Sequence, residues 1–272
     1  MNHILLTGAS GFIGKQVLSV LEKRGHKVRV ISRNNEFNET KNIQLVVTKN
    51  FFTETYDWYR KVCQEIDVVI HLAWYVEPGL YLDSEKNIEC LIGTINFANA
   101  IKDLKIRKFI GVGTCLEYDL KEKYLTTDTK IIPQSLYAAS KASCNYMLRN
   151  IFGNSGIEFT WARLFNLYGE GEDGRRLFQY IKNRIEKNEI AYLSCGKKIR
   201  DYQHVGQAAV DICNLLERDI SPAVNICSGI GVSIETIAKK IANEYGKPDL
   251  LNFSCKANID CDEDIIVGIK SA

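Results

Sequence analysis

One stretch constrains this chain more than any other. The short apolar run His3 to Thr7 (HILLT) passes directly into Thr7-Gly8-Ala9-Ser10-Gly11-Phe12-Ile13-Gly14. A run of that length, ended by glycine, reads as a buried strand. From Phe12 to Arg24 the apolar residues Phe12, Ile13, Val17, Leu18 and Leu21 recur at helical spacing, and Gly25 closes the helix. Gly8, Gly11 and Gly14 therefore lie between a strand and the start of a helix. One permits a tight turn, one lets the backbone approach a pyrophosphate, and one lets helix and strand pack closely. The helix N-terminus offers free N–H groups and the positive end of its dipole. Elsewhere such a triplet is an ordinary turn; in this context it points to a dinucleotide held by Gly8, Ser10, Gly11, Phe12, Ile13 and Gly14.

The pattern continues in the same style. Lys27 to Ser32 alternates as a strand, and Ile43 to Val47 is another short apolar run. A mixed segment with helical content reaches Glu65, and Asp67 to Ala73 reads as a strongly buried strand. Leu80 to Leu104 is predicted as a long helix, Lys108 to Val112 as a strand, Tyr137 to Phe152 as a helix and Glu158 to Arg163 as a strand. Such alternation with right-handed crossovers gives an α/β fold, a Rossmann-type doubly wound parallel sheet. The expected division is a dinucleotide-binding domain over residues 1–165 and a smaller C-terminal substrate-binding lobe over 166–272, with elements free to interleave. In the last stretch no closing element is assigned around Asp264-Ile-Ile-Val-Gly, and the lobe reads as either trimmed or cut.

Composition narrows the partners. Thirty-five Lys+Arg against 33 Asp+Glu leave a formal charge of +2, which gives no net-charge argument for nucleic acid or an acidic membrane. The cysteines, at 63, 90, 115, 144, 195, 213, 227, 255 and 261, are odd in number and contain no C-x-x-C. Neither a zinc site nor a disulfide framework is expected, and no metal. Met1 leads straight into the first strand without a signal-peptide layout, and the longest apolar run, Val68 to Val76, is too short to span a bilayer. A cytoplasmic chain without membrane contact is expected.

The second strand ends at Ser32-Arg33-Asn34. No Asp or Glu stands at that position to accept a ribose 2′-hydroxyl, whereas Arg33 could pair with a 2′-phosphate. Ser32, Arg33 and Asn34 thus favour NADP(H), with NAD(H) possible; the plain alternative is a solvated arginine in a turn. Further on, Tyr137-Ala-Ala-Ser-Lys141 sets a phenol and an ammonium four residues apart on one helix face. A free phenol titrates near 10, and a neighbouring ammonium would bring it toward working range. Such a pair is common by chance on surface helices, but here it follows a strand ending in Gly113-Thr114, whose hydroxyl could hold a substrate oxygen.

Together, the glycine loop, Thr114, Tyr137 and Lys141 resemble the extended branch of the short-chain dehydrogenase/reductase superfamily, which acts on nucleotide sugars. His71-Leu72-Ala73, Asn87, Arg163-Leu-Phe-Asn-Leu-Tyr-Gly169, Arg200-Asp-Tyr-Gln-His-Val205 and the strand Val224 to Ser228 match further motifs of that family. The resemblance implies that Tyr137 protonates an oxyanion, Lys141 holds the nicotinamide ribose and Thr114 orients the carbonyl. It also implies that Leu72 and Ala73 lie near the cofactor and that Leu164 and Phe165 flank the nicotinamide. Asn166 and Arg200 would contact a diphosphate, the alternative for Arg200 being a local ion pair with Asp201. The segment Trp74 to Leu82 resembles reductases of dTDP-4-keto-6-deoxyglucose, which would put Trp74, Tyr75 or Tyr81 near the hexose; a buried apolar cluster reads equally well.

Departures from the family pattern sharpen the expectation. Cys115-Leu116 stands where 4,6-dehydratases carry Asp-Glu, so dehydration is not expected. Cys115 is also one position away from the cysteine of the epimerase–reductases that make GDP-fucose, and it reads as a packed residue. Val46-Val47-Thr48-Lys49 lacks the Gly-Asp that usually reads the adenine. The resulting expectation is NADPH-dependent reduction of a nucleotide-linked 4-keto-6-deoxyhexose, dTDP-linked by preference, for deoxysugar and surface-polysaccharide synthesis. The alternatives are a nucleotide-sugar 4-epimerase with tightly bound NAD, a non-catalytic NADP-binding protein, and a reductase of small hydrophobic ketones. By analogy with the family a homodimer is expected, through the helices around 85–104 and 137–152.

Overall fold

A computed structural model describes residues 1–194, 196–217, 222–254 and 264–270. The chain runs β1 (His3–Thr7), α1 (Phe12–Lys23), β2 (Lys27–Ser32), β3 (Ile43–Val47), α2 (Tyr56–Val62), β4 (Val68–His71), α3 (Lys86–Ile101), β5 (Lys108–Thr114) and β6 (Tyr124–Leu125). It continues with α4 (Leu136–Phe152), β7 (Glu158–Leu164), β8 (Asn166–Tyr168), α5 (Leu177–Glu186), β9 (Ala191–Leu193), β10 (Ile199–His204) and α6 (Val205–Asn214). Last come β11 (Ala223–Ile226), β12 (Gly231–Ser233), α7 (Ile234–Glu244), β13 (Leu251–Phe253) and β14 (Ile265–Gly268).

Seven strands form one parallel sheet in the order β11-β7-β5-β4-β1-β2-β3. Its middle strands β1, β4 and β5 are buried on both faces, which is why they read as continuous apolar runs without alternation. On one face α1 and α6 bring Val17, Leu21, Ala208 and Ile212 against Ile4, Leu6, Val68 and Ile110. On the other, α3 and α4 bring Phe97, Ile101, Cys144 and Leu148 against Leu5, Val69, Phe109 and Trp161. The chain leaves β1 toward β2 on one side and resumes at β4 on the other. That reversal opens a crevice at the carboxyl ends of β1 and β4. A second sheet has the order β12-β10-β14-β6, with β8 on β10.

The elements around the crevice differ from the sequence reading in their limits. Helix α3 starts at Lys86, not Leu80, because Pro78-Gly79 takes a turn with Gly79 at φ +83° and both Leu80 and Tyr81 N–H groups return to the Glu77 carbonyl. Strand β5 runs on to Thr114, pairing with Leu164, so the threonine is the last residue of the strand itself. The run Ile265–Gly268, unassigned in the sequence, is β14, the strand that joins β10 to β6. Residues 205–226 also return to the large sheet: α6 packs on α1 and β11 forms its edge. Among the described residues no helix is long and apolar enough to cross a membrane, and no cluster of potential metal ligands occurs.

Candidate active site

The loop between β1 and α1 is shaped by what it excludes. A Cβ on Gly14 would lie 2.0 Å from the Gly8 carbonyl oxygen, and one on Gly8, at φ +74°, would lie 2.7 Å from the Ala73 nitrogen. Helix α1 begins at Gly11 with no side-chain cap and no acidic residue in its first turn. Its leading N–H groups and positive end thus remain available for an anion, so the cradle fits a pyrophosphate. The backbone of Leu72 and Ala73 lies against Gly8, beside this cradle.

Under it runs an ordered chain of hydrogen bonds. The Ala73 N–H donates to Thr7 Oγ1 (3.2 Å), which is 2.8 Å from His71 Nδ1. His71 Nε2 is 3.0 Å from Thr94 Oγ1, whose hydroxyl donates to the Cys90 carbonyl. Because Thr94 spends its proton on Cys90, its oxygen must accept from Nε2–H, and Nδ1 then accepts from Thr7. Burial, with the Lys141 charge adding to it, pushes His71 down to about 3. It is a neutral brace for the end of β4, not an acid or base.

Thr114, Tyr137 and Lys141 meet at the ends of β5 and α4. Ser135 caps α4 by accepting the Ala138 N–H, and the Tyr137 N–H donates to the Leu82 carbonyl at 2.8 Å, which fixes the entry of the helix. Tyr137, Lys141 and Thr114 are all buried. Lys141 Nζ donates to the Val112 carbonyl at 2.7 Å and sits 3.8 Å above the Trp74 ring. Burial lowers Lys141 to about 8, against the opposing pull of Cys144, Cys90 and Glu117. The expected lowering of the Tyr137 phenol is not what this geometry gives. Burial raises it, Tyr81, Glu117 and Cys115 add to the rise, and only a hydrogen bond with the Thr114 side chain opposes it. The ammonium, turned onto Val112 and Trp74, does not offset the loss of water around the phenol.

The segment before α3 closes over this group. Tyr81 sets its ring edge-on to Tyr137 at 4.8 Å. Asn87, completely buried, donates to the carbonyls of Tyr81 (2.6 Å) and Ser84 (2.9 Å) and accepts from Trp74 Nε1 (2.8 Å). One asparagine thus holds both Trp74 and Tyr81 in place. Tyr75 turns elsewhere, its ring lying 4.6 Å from the Lys86 ammonium. Arg175 bridges Asp173 and Glu77, tying the glycine-rich loop after β8 to this segment.

Other expected contacts are arranged differently. Leu164 is half-buried at the end of β7, whereas Phe165 is packed away with Cys115, Tyr118, Leu125, Cys227 and Ile266. Asn166 donates to the Asp201 carbonyl at 3.1 Å. Arg200 does not pair with Asp201; its guanidinium bonds the Ile199 and Asp264 carbonyls and forms an ion pair with the Asp264 carboxylate. Asp201, fully buried, accepts from Ser228 N (2.8 Å), Ser228 Oγ (2.6 Å), Gly229 N (2.9 Å) and Gly268 N (3.2 Å). At the end of β2 Arg33 and Asn34 are exposed, and the Ser32 hydroxyl donates to Glu36 Oε1 at 3.1 Å. Glu36 is a carboxylate that the sequence reading passed over, four residues beyond Ser32. Cys63, Cys90, Cys115, Cys144, Cys213 and Cys227 are buried free thiols; Cys195, Cys255 and Cys261 lie outside the described residues. Burial pushes the Cys115 thiol up to about 12, which suits a packed residue and not a base.

The family model for the NAD dependent epimerase/dehydratase family matches residues 4–227. UDP-glucuronic acid decarboxylase 1 of Arabidopsis thaliana is 26% identical over 227 residues, covering 80% of this chain and 52% of its own length. The chain spans only about half to two thirds of the first such relatives. The fold is shared with UDP-N-acetylglucosamine 4-epimerase from Methanobrevibacter ruminantium M1, solved in complex with UDP-N-acetylmuramic acid (TM-score 0.86, 21% identity, 99% of this chain and 90% of that one). It is shared too with Thermus thermophilus UDP-glucose 4-epimerase, solved with NAD (TM-score 0.82, 20% identity, 98% and 90%).

Proposed function

Because the chain belongs to the NAD dependent epimerase/dehydratase family, we propose that it reduces the 4-keto group of a nucleotide-linked 4-keto-6-deoxyhexose, dTDP-linked by preference, using NADPH. The single observation carrying this reading is the poverty of acid–base groups around Thr114. Elimination of water or epimerisation next to a ketone needs a second base. Cys115 is buried with its thiol raised to about 12, and Glu117 is buried and paired with Arg163 at 2.7 Å. Among the described residues, the Tyr137 phenol, the Thr114 hydroxyl and the Lys141 ammonium meet at one point, which is enough for carbonyl reduction.

The Gly8–Gly14 loop would hold the pyrophosphate of a nicotinamide dinucleotide, which would supply the hydride for the ketone carbon. Tyr137 gives its proton to the carbonyl oxygen, and its raised phenol pKa keeps that proton on the ring at neutral pH. Thr114 directs its hydroxyl to the same oxygen. Lys141 lends positive charge beside the cofactor ribose, and the Trp74 and Tyr81 rings exclude water from the group.

A second reading is supported by Glu36. A carboxylate bonded to Ser32 suits a ribose hydroxyl better than a 2′-phosphate, and retained NAD would suit a 4-epimerase. Mixing the protein, NADPH and dTDP-4-keto-6-deoxyglucose and following the nicotinamide absorbance tests the first reading. Loss of absorbance supports it; interconversion of 4-epimers without loss of reductant supports the second. Neither, across 4-keto and 4-hydroxy nucleotide sugars, leaves a binding protein without this chemistry. Cofactor choice is read separately by titration: Arg33→Ala is expected to weaken NADPH binding about tenfold and leave NADH unchanged. Equal losses for both cofactors would remove Arg33 from the 2′-phosphate.

The state of Lys141 gives a pH dependence. With its pKa lowered to about 8, the ammonium is present below that pH and lost as pH rises through it. Reductase kcat/KM is therefore expected to be flat near neutrality and to fall about tenfold per unit above the Lys141 value. In Lys141→Met this limb should vanish.

A further inference from the structure

One buried ionic group plays no part in the chemistry above. Glu117 has no exposed surface, and its carboxylate accepts the Thr114 N–H (2.9 Å), the Trp161 indole N–H (2.9 and 3.1 Å to the two oxygens) and Arg163 Nε (2.7 Å). Arg163 continues to the Tyr118 hydroxyl (3.0 Å), which donates to Asn225 Oδ1 (2.7 Å), and Asn225 Nδ2 reaches the carbonyls of Leu125 and Ile269. Room for the carboxylate exists only because position 113 is glycine: a Cβ there would lie 2.2 Å from both Glu117 Oε1 and Trp161 Nε1.

Burying a carboxylate and a guanidinium costs several kcal/mol, and well-packed apolar residues of similar volume often serve stability as well or better. What an apolar pair cannot supply is an acceptor for the Thr114 N–H. The turn Cys115–Glu117 is a capping box: Thr114 Oγ1 accepts the Leu116 N–H at 3.3 Å while the Glu117 side chain accepts the Thr114 N–H. With its oxygen engaged as acceptor, the Thr114 hydroxyl keeps its proton for a partner in the crevice. From this geometry we infer that Glu117 is a positioning residue for Thr114, clamping the end of β5 so that the hydroxyl faces the substrate oxygen. This rests on the role given to Thr114 in the proposed reduction.

The inference separates a clamp from a mere core residue. Glu117→Met removes the acceptor of the Thr114 N–H, and is expected to lower kcat about 100-fold with KM changed less than about threefold. In a Thr114→Val background the same change is expected to cost less than about twofold, since the group it positions is gone. An equal loss in both backgrounds would overturn the proposal. A variant that keeps the fold, Glu117→Met with Arg163→Met, should show the same kcat loss and the same dependence on Thr114. A readout independent of turnover uses the cofactor-free protein with 13C-methyl threonine. The Thr114 methyl should report one χ1 rotamer in the parent and averaged couplings in the double methionine variant. Unchanged couplings would overturn the clamp even if no nucleotide sugar proves to be a substrate. Single-rotamer couplings that do average, with no turnover in the parent, would instead overturn only the assigned reaction.

Discussion

Tyr137→Phe is expected to lower turnover about 1,000-fold while leaving cofactor affinity within about twofold, measured by steady-state kinetics and by titration of NADPH fluorescence. The size of the loss follows from the absence of an understudy. His71 is neutral, with both ring nitrogens engaged by Thr7 and Thr94, and Lys141 spends a proton on the Val112 carbonyl. Cys115 holds its proton up to about pH 12 inside an apolar cluster. Among the described residues, neither His71 nor Cys115 can stand in for the phenol as proton donor. The phenyl ring keeps its edge contact with Tyr81, so the pocket wall and the cofactor loop stay as they are. A fall of less than about tenfold would mean that another donor, or water, does the work.

Asp201→Asn is expected to bring the largest loss of stability, about 3–4 kcal/mol by denaturant titration. The carboxylate accepts from two backbone N–H groups at Ser228 and Gly229, from the Ser228 hydroxyl and from Gly268 N–H, all around a residue with no exposed surface. An amide presents only one acceptor, so donors would face donors on one side. Each loses its partner where water cannot replace it. The melting temperature should fall by about 10 °C on that scale. A change under about 1 kcal/mol would show that the loop after β11 relaxes freely around the substitution.

How far the sequence reaches can be judged from these residues. The first strand, the glycine loop and the phenol–ammonium pair are legible because their physics is local: a strand is an apolar run, a helix face is a four-residue step. The limits of α3 were not, since Leu80 and Leu82 match the helical period while Pro78-Gly79 turns the backbone out of it. Asp201 and Asn87 were visible as motif letters only. What they do depends on carbonyls and N–H groups far along the chain, and no spacing rule encodes those. Glu117 could have been found, because Thr114-Cys-Leu-Glu117 is the Thr-x-x-Glu pattern of a capping box. Arg200 shows the same limit: its motif carries no sign of the ion pair with Asp264, which lies far along the chain.

The two-residue strand β6 has a practical meaning for anyone wishing to divide the molecule. Tyr124 and Leu125 belong to the first half of the chain yet zip onto Val267 and Gly268 near its other end, while Ala223–Ile226 travels back to edge the large sheet. Among the described strands, no single scission separates two pieces that each own all their strands. Proteolytic nicking between β6 and β14 should leave fragments that stay together until denatured, and residues 166–272 cut out as one contiguous piece would lack the β6 strand that β14 pairs with. New specificity in this scaffold has to be built by substitution within loops.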